Sequence, residues 1–425
     1  MLMTPARLPM EVVSRRLPGG ATAIVRADPL LGFVAVNVWH STGSIHDPAG
    51  RSGLAHLVEH VLSDHGEGAA GSPHASGSIQ ATTAHECTNY LETGPAEALP
   101  ELLSRAAERI RRGRAGVTPA GLDRERAVVR EEIRQREESG RFGSGLRRSL
   151  RLLFGADHPL GRPPLGDPEE IAQITPADVD EFIERHYGSA RLVMSIVGSV
   201  HPEHAMELAA KCLGGLPAGL RPETRVLSGP ESGGYRREDV QEGERSGMLR
   251  YTFALPAMGE RLSAAGEVAM AALAGASWSV LGADLSDCYR LLGSAAQHGR
   301  CGSGPSLGLV KLIAPTGVDL CELEEAVTAR LADLARTGPR EDVLAAAKAK
   351  RGKERLAVLG GARTCAEELC REQAWSGDPA GVIGRLDALR AVTVDQIAEI
   401  AAGPLARPAV VAFHTDSLGN STWIA

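Results

Sequence analysis

One segment of this chain occurs twice. Ile174 and Thr175 introduce a helical pattern that runs to His186 and leads into the apolar stretch Leu192–Val197. Val392 and Thr393 introduce a second that runs to Ala402 and leads into Ala409–Phe413. A Gly-Asp-Pro tripeptide precedes each copy, at 166–168 and at 377–379. A threonine favours a helix start, and a strand-length apolar run after the helix completes a supersecondary unit. The same unit in both halves of a 425-residue chain predicts a duplicated domain, and the length allows two substantial cores.

The rest of the pattern agrees with mixed strands and helices. Val34, Val36 and Val38 alternate within Phe33–Thr42 and predict a half-buried strand. Further strands are expected at 78–83, 87–93 and 192–197, with helices at 96–112, 118–138, 146–154, 176–187 and 203–213. The second half reads as strands at 248–255, near 306–314 and at 408–413, with long helices at 318–336 and 340–357. A Gly/Pro-rich stretch separates the halves. The expected domains are therefore 1–217 and 236–425, joined by a linker at 218–235. The expected fold class is α+β, each domain a largely antiparallel sheet packed by helices.

Composition narrows the function classes. A net charge of −7 and the lack of any basic run with interleaved aromatics argue against nucleic-acid binding. No apolar run reaches transmembrane length and the first 20 residues hold no apolar signal core, so no membrane role is expected and the default location is cytoplasmic. The seven cysteines, Cys87, Cys212, Cys288, Cys301, Cys321, Cys365 and Cys370, are scattered and form no C-x-x-C pair. They read as buried thiols in a reducing compartment rather than as a metal site.

The chemistry concentrates at His56-Leu57-Val58-Glu59-His60. On a helix, residues four apart share a face, so His56 and His60 can hold one metal ion between their rings. Glu59 lies on the same stripe, within reach of a water on that ion. Leu54, Leu57, Val58, Val61 and Leu62 form a separate apolar face, so the polar cluster sits on a helix that also packs a core. Two histidines and a carboxylate in the order H-x-x-E-H suit zinc hydrolysis.

Such a site needs a third protein ligand and one open position. The helix expected at 118–138 starts with Thr118 as N-cap and Pro119 at the first position. Arg126, Arg130 and Arg134 read as its solvated face. Glu125 and Glu132 lie two turns apart along another side, with Val128 and Val129 between them. Glu132 is the expected third ligand, and Glu131 is its competitor. His65, His74 and His85 read as solvated loop or strand residues.

With these motifs the chain resembles the pitrilysin (M16, inverzincin) family of zinc peptidases, in particular its small two-domain bacterial branch. Gly43-Ser44 and Gly53-Leu54-Ala55-His56 lead into the motif as in that family. Glu125–Ile133 matches E-R-x-V-V-x-x-E-[IM], and His158–Gly166 matches H-P-L-G-x-x-x-x-G. The resemblance covers nearly the whole chain. It departs where Ser63-Asp64-His65-Gly66 replaces an F-x-G-T stretch and opens an unusual loop over 63–76.

The resemblance implies two similar α+β domains closing as a clamshell over an extended peptide, the second domain inactive in metal chemistry and contributing to substrate binding. It implies Zn2+ held by His56, His60 and Glu132, Glu59 as the base, and Glu125 as a partner of a ligand histidine. The activity implied is that of a zinc metalloendopeptidase on small extended peptides, including a ribosomally made precursor; the alternative is a non-proteolytic scaffold or partner subunit of the same fold. Substrate binding is implied for the strand Ser78–Thr83, in which Gln80 stands where the family has asparagine and Ala81 follows it. Arg290 fits the arginine of a second-domain Arg/Tyr pair, whereas Gln297 occupies the region of the tyrosine and Tyr289 lies on the wrong side. The implied assembly is a homodimer, or a heterodimer with a second family member that supplies the Arg/Tyr pair.

Overall fold

The computed structural model describes residues 11–63, 78–113, 115, 117–138, 143–219, 226–231, 234–242 and 246–415. In the first half, strands β1 (Val13–Arg16), β2 (Thr22–Ala27), β3 (Phe33–His40), β4 (Ser78–Thr83), β5 (Thr88–Pro95) and β6 (Leu192–Gly198) form one sheet in the order β1-β2-β6-β3-β5-β4. In the second half, β7 (Arg236–Glu242), β8 (Ser246–Leu255), β9 (Gly293–Gly299), β10 (Ser306–Pro315) and β11 (Ala409–Thr415) form another, in the order β7-β11-β8-β10-β9.

Leaving out β1, the two orders correspond strand for strand. The sense matches too: β2/β6 and β7/β11 are parallel, and every other pair is antiparallel. The protein is thus α+β and internally duplicated. Four strands escaped the sequence reading: β1, β2, β7 and β9. β1 and β7 carry mostly polar residues, and β9 is built of Gly, Ser, Ala, Gln and His, so none shows a strong apolar alternation.

The helices of the first half are α1 (Leu54–Ser63), α2 (Leu99–Gly113), α3 (Pro119–Glu138), α4 (Gly145–Phe154), α5 (Pro168–Gln173), α6 (Pro176–His186) and α7 (Pro202–Leu213). Those of the second are α8 (Ser263–Leu273), α9 (Ala283–Tyr289), α10 (Leu320–Thr337), α11 (Glu341–Gly360), α12 (Ala362–Ser376), α13 (Gly381–Ala391) and α14 (Val394–Ala402). The repeated threonines do the same work in both halves. Thr175 caps α6 in a reciprocal pair with Asp178, and Thr393 caps α14 with Gln396. Each pair satisfies two backbone N–H groups that the helix start would otherwise leave open.

The chain forms two compact units, and each takes one segment from the other half: α4 belongs with the second sheet and α12 with the first. In the first unit this changes the reading of β3. Val34, Val36 and Val38 pack with Leu102, Leu103 and Ala106 of α2 and with Met206 and Ala209 of α7. Its other face, Ala35 and Trp39, packs against Cys365, Ala366, Leu369 and Cys370 of α12. From Val34 to His40 the strand is buried on both sides, not half-buried as expected. The second cover comes from far along the chain, where local alternation carries no information about it.

Leu54, Leu57 and Val58 of α1 form a third cluster with Leu122, Val129 and Ile133 of α3 and Val179, Phe182 and Ile183 of α6. In the second unit, α8, α10 and α14 pack on one face of the sheet in a single core. All seven cysteines are free; Cys87, Cys301, Cys365 and Cys370 are buried, but Cys288 and Cys321 are exposed, contrary to expectation. The Cys321 position lies between core-facing Leu320 and Leu323 on α10, on the side that looks to solvent. Among the described residues, no helix is long and apolar enough to cross a membrane.

Candidate metal centre

Helix α1 starts from a buried carboxylate. Asp47 accepts hydrogen bonds from the Gly53 and Ala55 backbone N–H groups at 2.7 and 2.8 Å, which fixes the first turn. The apolar face of α1 then docks on α3 and α6, and His56, Glu59 and His60 are left on one stripe. His56 and Glu59 are buried and His60 is partly so. The two imidazole rings stand 4.9 Å apart at 79°.

Helix α3 brings the third group. Leu122, Val129 and Ile133 are buried at helical spacing and set its rotation, while Glu131 is exposed. In that phase Glu132 meets both histidines: its Oε2 lies 3.3 Å from His56 Nε2 and 3.4 Å from His60 Nε2. The three donor atoms lie within 4.8 Å of one another. Ligands at the corners of a tetrahedron about 2.0–2.1 Å from a zinc ion stand about 3.4 Å apart; both Glu132 separations match this, and the donor types suit zinc. Sequence spacing left Glu131 and Glu132 as alternatives; the packing of α3 on α1 turns Glu132 to the histidines.

Other groups orient the histidines. His56 Nδ1 lies 3.2 Å from the Leu165 carbonyl. A carbonyl only accepts, so Nδ1 is the donor there and Nε2 is the ring nitrogen turned to Glu132. The Leu165 loop reaches α1 because Gly53 and Gly166 meet back to back. Gly166 has φ +89°, and a Cβ there would stand 2.3 Å from the Gly53 Cα. His60 Nδ1 faces Glu125 Oε2 at 3.6 Å, while Arg124 Nε donates to Glu125 Oε1 at 3.1 Å. Burial opposes protonation of His60, but the Glu132 hydrogen bond and the charges of Glu59, Glu132 and Glu125 outweigh it and raise its pKa above the usual imidazole value. Three carboxylates around two imidazoles make a site that attracts a cation.

Glu59 is held from another element: Thr83 Oγ1, at the end of β4, donates to its Oε2 at 2.6 Å. Sequence reasoning assigned Thr83 no role of its own, nor Asp47, nor the Leu165 carbonyl. Asp47 reaches the helix start from outside the position where a cap residue is read, and Thr83 and Leu165 reach the site only through tertiary packing. Two expectations about nearby side chains change. Arg126 is not on a solvated face, since its guanidinium bonds Asp123 and the Ile174 carbonyl. His85 is half-buried rather than solvated. His65, His74 and the loop after Ser63 lie outside the described residues.

The expected substrate-binding positions are placed as follows. Among the described residues, strand β4 ends the first sheet and pairs only with β5, Gln80 opposite Leu91 and Ala81 opposite Tyr90. Its outer edge therefore offers backbone groups to an added strand. Gln80 is exposed, and its side-chain carbonyl takes a hydrogen bond from Arg363. Arg290 belongs to the second unit, exposed at the C-terminal end of α9 with a left-handed φ of 51°. Gln297 is exposed on β9, and the Tyr289 hydroxyl donates to the Glu322 carbonyl at 3.3 Å.

Both halves of the chain match known family descriptions. Residues 23–143 match the family described as insulinase (peptidase family M16), and residues 173–351 match the peptidase M16 inactive domain. An uncharacterized zinc protease of Mycobacterium leprae is 30% identical over 204 residues, 47% of this chain and 45% of that protein. The mitochondrial-processing peptidase subunit beta of Blastocladiella emersonii is 26% identical over 213 residues, covering 48% of this chain and 44% of that one. The matches thus span about half the length of these relatives. Among solved structures, a protease from Helicobacter pylori superposes with a TM-score of 0.84 at 20% identity, over 95% of this chain and 99% of that one.

Proposed function

This chain belongs to the M16 peptidase family, and on that premise we propose that it is a zinc-dependent endopeptidase acting on small, extended peptides. The observation that carries the reading is the convergence of His56, His60 and Glu132 with Glu59 beside them on α1. His56, His60 and Glu132 would hold zinc and leave one position open. The ion would supply Lewis acidity and lower the pKa of water at that position.

The remaining work falls to the chain. Glu59 accepts a proton from the attacking water and returns it to the leaving amine. The Thr83 hydroxyl occupies Oε2 of Glu59, which turns the other oxygen to that task. The Leu165 carbonyl and Glu125 hold the two imidazoles in register. The outer edge of β4 pairs with the peptide backbone, a mode that depends on main-chain groups and so tolerates Gln80 in place of asparagine. A ribosomally made precursor fits this substrate class. The scattered free cysteines support a cytoplasmic site of action.

One feature favours a shared active site. Arg290 has no tyrosine at the expected place on β9, where Gln297 stands. A partner of the same family that brings an Arg/Tyr pair would complete the grip on the substrate carbonyl. The test is cleavage of a defined peptide mixture by the purified, zinc-loaded chain, with Glu59→Gln as control. Cleavage that vanishes in the control supports a self-sufficient peptidase. Bound zinc without cleavage, restored by a second family member, supports the shared site; no cleavage with any partner leaves the scaffold role.

A further inference from the structure

Arg250 sits in the middle of β8, only 5% exposed, and its buried Nε has no hydrogen-bond partner. No carboxylate pairs with its guanidinium among the described residues. Its cross-strand neighbour on β10 is Lys311, on the same face of the second sheet and likewise without an ion-pair partner among the described residues. Two residues along β8 on that face, the Thr252 hydroxyl is also buried without a partner.

The cover over Arg250 is the start of α4. A Cβ on Gly145, its first residue, would stand 2.8 Å from Arg250 Nε and 3.1 Å from Cζ. The guanidinium therefore lies against the positive end of a helix whose N-cap, Ser144, makes no capping bond. Among the described residues, the acids that meet the arginines of α4 are engaged: Glu238 pairs with Arg148 and Glu137 with Arg147. Burial pushes the Arg250 pKa down to about 10, and burial together with the Arg250 charge lowers that of Lys311. A buried, unpaired cation is costly, and one against a helix N-terminus with a second cation on the neighbouring strand calls for an anion.

We propose that Arg250, Lys311 and the first turn of α4 form a subsite for a carboxylate of the peptide substrate. The inference rests on the peptidase reading for the identity of its ligand, because carboxylates are the anionic groups of an unmodified peptide at neutral pH. Ser144 and Lys311 are only half-buried. The carboxylate is either the C-terminus or an acidic side chain, and two peptide pairs separate these sources.

The experiment measures binding of dansylated peptides to the zinc-loaded full chain carrying Glu59→Gln, with one pair differing as C-terminal acid and amide and the other as internal Glu and Gln. At least one acidic member should bind about tenfold tighter than its neutral counterpart. That preference should disappear in Arg250→Met and shrink in Lys311→Met, with Arg250→Met melting no lower than its parent because it removes an unpaired buried charge. Equal binding within both pairs, no binding of any peptide, or a preference that survives both substitutions overturns the subsite. Cleavage by the unsubstituted protein is scored separately. A carboxylate preference without cleavage sinks the peptidase reading alone; cleavage without a preference sinks the subsite alone.

Discussion

The Thr83 hydroxyl on β4 donates a 2.6 Å hydrogen bond to Glu59 on α1, so the proposed base is aimed by the same edge strand that is proposed to bind the peptide. Thr83→Val removes the donor and keeps the shape. It should lower kcat about tenfold with little change in KM, and Thr83→Ser should restore most of the loss. A change confined to KM would assign Thr83 to substrate binding instead.

Glu132 faces both histidines and Glu131 faces solvent. Glu132→Ala should therefore purify without stoichiometric zinc, and Glu131→Ala should keep one ion per chain. Metal analysis after dialysis checks this, and the reverse pattern would move the ligand to Glu131.

Gly166 combines a φ of +89° with backbone contact to Gly53. Gly166→Ala should destabilise the protein by about 2 kcal/mol or more, read from urea midpoints. Because the Leu165 carbonyl that orients His56 moves with it, zinc affinity should fall about 10-fold or more in a chelator competition. Unchanged zinc affinity would show that the His56 contact does not tune the site.

His40 and His186 are buried, and both have a pKa lowered to about 3: His40 by burial and then by the Arg109 charge, His186 by burial and then by His46, Arg191 and Arg185. The unfolded chain takes up these protons near pH 6.5, and the folded chain does not until about pH 3. Their contribution to stability is thus complete above about pH 6.5 and is lost as pH falls below it. Between about pH 6.5 and 5 each histidine should cost up to about 2 kcal/mol. In metal-free protein, His40→Leu should flatten the fall of urea midpoint over this range relative to the parent; parallel curves would mean that His40 titrates normally.

Much of the architecture was legible in one dimension. The Thr-capped helix and following strand marked the duplication, and helical spacing put His56, Glu59 and His60 on one stripe and Glu125 with Glu132 on another. These are local properties, set by residues within two turns of one another. The sheet order was not legible where strands lack alternation, as in β7 and β9.

Other features were decided by segments remote in sequence coming together. The cover of β3 by α12, the rotation of α3 that presents Glu132 rather than Glu131, the Thr83 bond to Glu59 and the unpaired Arg250 under Gly145 all depend on packing between distant elements. A residue's period in the chain states which face it shares. Which neighbour that face meets, and whether a charge finds its partner there, is set by the free energy of packing the whole unit.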